Sequence, residues 1–184
     1  MPIPRFDANS VLPPHLGDPC EPTQLSPYPC TPLELCQRFA TSPERRQILD
    51  GLLRFRELLG QAGFASGFQG LDGSFLEDVE ARESRPPADL DVVTFFMSPD
   101  PAFASKVAAK FPILTDPKSV KSQYKLDHSF VNMAYNPINT VEQTRYWFGL
   151  FSHRRDGIWK GMLRMDLNTT PDDANAGNYL RSLP

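Results

Sequence analysis

The chain has 184 residues, 40% of them hydrophobic and 22% charged, the balance of an ordinary globular protein of one domain. A net charge of −3 gives no overall basic field for nucleic acid, although a local patch stays open. No apolar run reaches membrane-spanning length, and the opening MPIPRFD lacks a basic region followed by an apolar core, so a cytoplasmic chain without signal peptide or membrane contact is expected.

Nine of the nineteen prolines lie in the first 32 residues, a stretch that can form neither helix nor central strand. Residues 1–40 therefore read as a proline-rich arm, either wrapped on the domain or partly loose, with a short helix over residues 33–39. A stronger helix starts at TSPE, with Thr41 or Ser42 as cap and Pro43 in its first turn. Ile48, Leu49, Leu52, Leu53, Phe55 and Leu59 give it a buried stripe, with Arg45, Arg46, Arg54 and Arg56 mostly off that stripe. FASGFQGL then predicts a strand running into Asp72-Gly73-Ser74. After a polar, proline-broken loop, DLDVVTFFM is the best strand of the sequence.

Helices are expected over PDPAFASKVAAKF and TDPKSVKSQYKL, a strand over LDHSFVNMAY, and a helix over NTVEQTRYWFGLF with Tyr146-Trp147-Phe148 mostly in the core. IWKGMLRMDL alternates as a strand, with Trp159, Leu163, Met165 and Leu167 on one face and Lys160, Arg164 and Asp166 on the other. A domain over 41–168 and a flexible tail over 169–184 complete the reading. Strands interleaved with helices make the fold α/β or α+β, a small mixed sheet backed by helices. Cys20, Cys30 and Cys36 show no CxxC spacing and read as reduced thiols rather than a zinc site. His128 and His153 give no legible triad.

Residues i and i+2 of a strand point the same way, so Asp89 and Asp91 project side by side, with Val93 and Phe95 after them. Leu90, Val92, Thr94 and Phe96 pack the other face. Two adjacent carboxylates repel unless a cation lies between them, and magnesium takes one or two carboxylates and completes its shell with water and phosphate oxygens. A Gly73-Ser74 turn lets backbone N–H groups approach an anion, and a following helix would add its positive end. The bland readings are a charged strand face and an ordinary Asp-Gly turn.

Gly-Ser, a spacer, then Asp-hydrophobic-Asp-hydrophobic resembles the signature of the DNA polymerase beta-like nucleotidyltransferases. The chain resembles more closely an uncharacterised prokaryotic family of small proteins with that core, through IPRFD…LPP, the ERR helix start, LDGSF, PADLDVV and FSHRRDGIWKGMLRM. The resemblance implies a minimal nucleotidyltransferase fold in which Gly73 and Ser74 bind the triphosphate. Asp89 and Asp91 would hold two magnesium, or manganese, ions, and Asp127 would be the third catalytic carboxylate, with Asp166 second choice.

Lys160 and Arg155 are further candidates for phosphate contact; an exposed edge lysine and a helix C-terminal arginine are their plainer roles. Asp127 could equally cap a backbone amide. The spacer, Phe75 to Ala88, has fourteen residues, slightly more than the family habit, and predicts a lid or an extra contact surface. The implied reaction moves an NMP from an NTP to a hydroxyl of an RNA end or a partner protein. The rival reading is an inactive nucleotide-binding or interaction subunit of a toxin–antitoxin or defence pair.

Overall fold

Proline placement decides where this chain opens its helices. Five of the seven α-helices among the described residues carry proline in the first turn, where its missing N–H would have had no partner in any case. Side-chain caps sharpen several of these starts. Thr31 and Glu34 form a reciprocal capping box, Ser42 Oγ accepts from Arg45 N, and Asp116 and Asn136 cap two later helices.

The computed structural model describes residues 3–184. After a short strand β1 (Tyr28–Pro29) come helices α1 (Pro32–Phe39) and α2 (Pro43–Gln61), then β2 (Gly67–Asp72) and the short helix α3 (Val79–Glu83). Strand β3 (Leu90–Phe96) leads through α4 (Phe103–Lys110) and α5 (Pro117–Tyr124) to β4 (Leu126–Asn132). Helix α6 (Pro137–Phe151), strand β5 (Leu163–Asp166) and helix α7 (Thr170–Ser182) finish the fold. The strands make one mixed sheet in the order β1-β5-β2-β3-β4, with β2 antiparallel to both neighbours and β3 parallel to β4. The expected α+β architecture is observed.

The alternation read in β3 holds. Leu90, Val92 and Phe96 join the main core with Leu35, Phe55 and Leu59, while Val93 and Phe95 pack on the other face with Phe151 and Met162. That second face is thinly covered. Only Phe151 of α6 is buried, Trp147 and Phe148 are half-buried, and Tyr146 is 52% exposed, so the aromatic cluster is less of a core than expected.

Three other expectations are corrected. Strand β5 is only four residues long, and before it Trp159 is exposed while Lys160 is buried, because Lys160 N and Gly161 N bond out of the sheet to Ser152 O and Leu12 O. The proline-rich arm, by contrast, takes one of its two expected arrangements, wrapped on the domain, with Leu12 and Tyr28 in the core and Tyr28 OH donating to Pro13 O. The segment expected to be a loose tail is α7, packed on α1 and α2. Arg45 and Arg56 are buried rather than off the helix stripe, since a long side chain can lie along the apolar face and place its head at a distant partner.

Arg56 shows why α7 is ordered. Its guanidinium donates from Nε to Asp173 Oδ1 at 2.6 Å, from Nη1 to Gln69 Oε1 at 2.6 Å, and from Nη2 to Asp166 O at 3.0 Å. Gln69 Nε2 donates onward to Thr94 Oγ1, which lies 2.8 Å from His128 Nε2, so one buried polar chain crosses the sheet. Burial holds the His128 imidazole far below its ordinary value, at about 3, and it stays neutral. Arg56→Met leaves Asp173 without its ion pair and Gln69 Oε1 without its donor, and should lower the unfolding free energy by about 3–5 kcal/mol in urea denaturation. A loss below about 1 kcal/mol, the scale of a surface pair, would contradict this anchoring role.

Candidate active site

Strand register places three aspartates in a row. Asp72, the last residue of β2, stands opposite Asp91 of β3, and Asp91 stands beside Asp127 of β4. Residues paired across a ladder share a face, so the three carboxylates project together from the side of the sheet opposite the main core. Asp89 precedes Asp91 by two and projects with it. Asp166 is not part of this group. It pairs with Phe68, whose partner on β3 is Phe95, four residues and roughly 13 Å along the strand from Asp91. Of the two candidates for third carboxylate, the structure brings Asp127 to the site and leaves Asp166 with Arg164 at 3.1 Å.

Two lysines answer the negative charge. Lys121 of α5 sets its ammonium 2.7 Å from Asp89 Oδ2 and 2.9 Å from Asp127 Oδ2. Lys160 lies 3.1 Å from Asp72 Oδ2 and 2.9 Å from Glu77 Oε1, with all three side chains no more than 5% exposed. Arg82 holds the other Glu77 oxygen at 2.8 Å. Lys160 thus bridges the residues before and after the Gly73-Ser74 turn. The expected phosphate contact is replaced by a positioning role, because a buried ammonium with two carboxylate partners is not presented to solvent.

The turn is fixed on its other side by Arg45 from the first turn of α2. Arg45 donates to Phe75 O at 2.6 Å and Glu77 O at 2.8 Å, and its Nε and Nη2 take both oxygens of Glu80. The front of the spacer is therefore clamped against α2, and its exposed stretch is residues 81–86. Gly73 has φ +87°, and a Cβ there would come 2.7 Å from Asp91 Oδ2. Glycine is required twice over, for the backbone conformation and for the approach to the carboxylate. Half-buried Ser74 opens a single 3-10 turn rather than a long helix, so no helix dipole of consequence points at the site. Arg155 is exposed and has no ion pair among the described residues; its neighbour Arg154 is held by Asp156 at 2.7 Å and donates to Asn9 O.

The electrostatics follow from this crowding. Burial, then the charges of Asp89 and Asp127, push the Asp91 carboxyl up to about 6 against the pull of the two lysines. Burial pushes Asp72 up to about 7, with Lys160 opposing. Burial lowers the Lys160 ammonium, but Asp72 and Glu77 outweigh it and the net shift is upward. Hydrogen bonds to Asp89 and Asp127 hold Lys121 firmly charged. Asp91 makes no ion pair among the described residues, and Asp72 Oδ1 is buried without a hydrogen-bond partner. Among the described residues no group of three or more His, Cys, Asp or Glu side chains is assembled at metal-holding distance. The three cysteines are free, with Cys30 and Cys36 buried.

Residues 4–166 match the model of a family of unknown function, DUF6932. The chain belongs to that family. The match begins in the proline-rich arm and ends with β5, so it takes in every residue of the carboxylate row and both lysines, and α7 lies beyond it. No curated protein and no solved structure matches the chain.

Sequence reasoning missed Asp72, Glu77, Lys121 and Arg45 as parts of this site. Asp72 read as a turn residue, and the other three lie on helices or loops whose side-chain reach has no local signature.

Asp72 and Asp91 hold protons more tightly folded than unfolded, so the stability this pair contributes is lost as pH rises from about 4 to about 7, opposed between about 3 and 6.5 by His128, which the fold keeps neutral. Asp91→Asn should remove part of that slope and raise stability at pH 7.5 by on the order of 1–2 kcal/mol, read from chemical denaturation at several pH values. An unchanged slope would show that Asp91 is not the strained carboxylate. Gly73→Ala should cost about 1–3 kcal/mol in the same measurement, and wild-type stability would contradict the close approach.

Proposed function

We propose that this protein is a metal-dependent nucleotidyltransferase, moving an NMP from an NTP to a hydroxyl on an RNA end or a protein side chain. The observation that carries the reading is the row Asp72–Asp91–Asp127 with the Gly73-Ser74 turn packed against its centre. A carboxylate without a cation, flanked by others and closed on one side by a glycine turn, suits a divalent ion and a triphosphate held together. The signature quoted from the sequence puts the same parts in the same order.

The carboxylates around Asp91 would hold magnesium, with manganese as substitute, and Asp89 and Asp127 complete the set that the resemblance implies. Magnesium there would neutralise charge developing on the attacking and leaving oxygens at the α-phosphate. The chain's own residues do the positioning. Arg45 and Lys160 fix the turn, so that the Gly73 backbone and the Ser74 hydroxyl meet the phosphates without first having to be ordered. Arg155, exposed and without an ion pair among the described residues, is the cation that the resemblance leaves for contact with the triphosphate or the acceptor.

One observation favours the second reading, an inactive interaction subunit of a toxin–antitoxin or defence pair: the Lys121 ammonium already stands between Asp89 and Asp127. Incubation with each NTP labelled at the α-phosphate, with magnesium and either RNA or protein acceptors, separates the two. Wild type should transfer label and release pyrophosphate, and Asp91→Asn should reduce the rate by at least about a thousandfold. Equal labelling by both proteins would overturn the assignment, and no transfer to any acceptor would favour the inactive subunit.

A further inference from the structure

The four aspartates of the site fall into two pairs with different partners. The outer pair, Asp89 and Asp127, shares the Lys121 ammonium at 2.7 and 2.9 Å, and their side chains are 21% and 59% exposed. The inner pair, Asp72 and Asp91, faces each other across β2 and β3. Asp91 makes no ion pair among the described residues. Asp72 is 5% exposed, gives one oxygen to Lys160, and leaves Oδ1 buried with no partner.

We infer that a single divalent cation binds on the inner pair, Asp72 and Asp91, while Lys121 serves as the standing cation of the outer pair. This rests on the metal-dependent reading above and divides its carboxylates between two cations of different kind. A buried carboxylate oxygen without a donor is costly, and proteins keep such groups where a ligand or ion completes them. Two carboxylates are all that magnesium needs from a protein, the rest of its shell being water and substrate phosphate. Gly73 lets the turn backbone pack directly against Asp91 Oδ2, where a Cβ would come within 2.7 Å of that oxygen. Charge leads to the same division. Lys121 offsets one of the two outer charges, and Lys160 is shared between Asp72 and Glu77, whose second oxygen has Arg82. One outer charge and that of Asp91 remain, and Asp91 alone of the four aspartates has no cation in contact with it among the described residues.

Asp72 becomes a metal ligand that strand register reveals and the Asp-x-Asp pattern does not. Lys121 becomes the substitute for a second ion, which makes this a one-metal site.

Manganese titration of the full chain, with free Mn²⁺ read by electron paramagnetic resonance, tests both halves without any turnover. Wild type should bind one Mn²⁺ per chain. Asp72→Asn should weaken binding by at least about tenfold, Asp89→Asn by less than about threefold, and Lys121→Met should admit a second ion. A thermal melt of each variant in EDTA checks that it folds, and should Asp72→Asn fail to fold, the ion count for Lys121→Met decides. Full binding by Asp72→Asn with loss in Asp89→Asn would move the ion to the outer pair, overturning this inference and leaving the nucleotidyltransferase reading intact. Two ions on wild type would remove Lys121 from its role. No binding by wild type would overturn both readings together.

Discussion

Aspartates on three adjacent strands repel one another, and much of the surrounding structure is arranged around that repulsion. Register forces Asp72, Asp91 and Asp127 onto one face within ladder distance, and Asp89 adds a fourth charge. Lys121 from α5 and Lys160 from the segment before β5 approach from opposite sides, each spanning two carboxylates. Neither touches Asp91. The centre of the row is thus the place where negative charge is concentrated by the fold and not cancelled by it, which is the electrostatic condition for capturing a cation.

Two buried arginines of α2 tie this charged face to the rest of the molecule. Arg45, in the first turn, fastens the segment after Gly73-Ser74; Arg56, three turns later, fastens α7 and the far end of the sheet. Buried arginines of this kind are weak evidence for net stability, because desolvating the guanidinium offsets much of the gain. They are strong evidence for geometry, since five donors in a fixed plane accept few arrangements of acceptors. One helix therefore sets both the glycine turn and the frame behind it, and the charged face inherits its precision from the apolar face of α2.

The period-2 alternation of DLDVVTFF made the direction of Asp91 legible, because burial on both faces of β3 leaves no freedom to slip. The carboxylate across from it was not legible, since register between strands sixteen or more residues apart leaves no local trace. Asp72 looked like the start of a turn and is instead the end of a strand. Lys160 departs from its expected face for a related reason: the alternation in the sequence begins four residues before the first paired residue of β5. α7 was hidden by its composition, Asp, Asn and Gly being poor helix formers. Its signals were the Thr-Pro-Asp-Asp start and the spacing of Ala176, Tyr179 and Leu180, which pack on the main core.

The most direct test of the central claim, that Asp91 anchors a magnesium–triphosphate site, is calorimetric titration of wild type and Asp91→Asn with each NTP, with and without magnesium. Magnesium-dependent binding of at least one NTP by wild type, lost in the variant, is the predicted result. Binding that is the same with and without magnesium, or the same in both proteins, would contradict it.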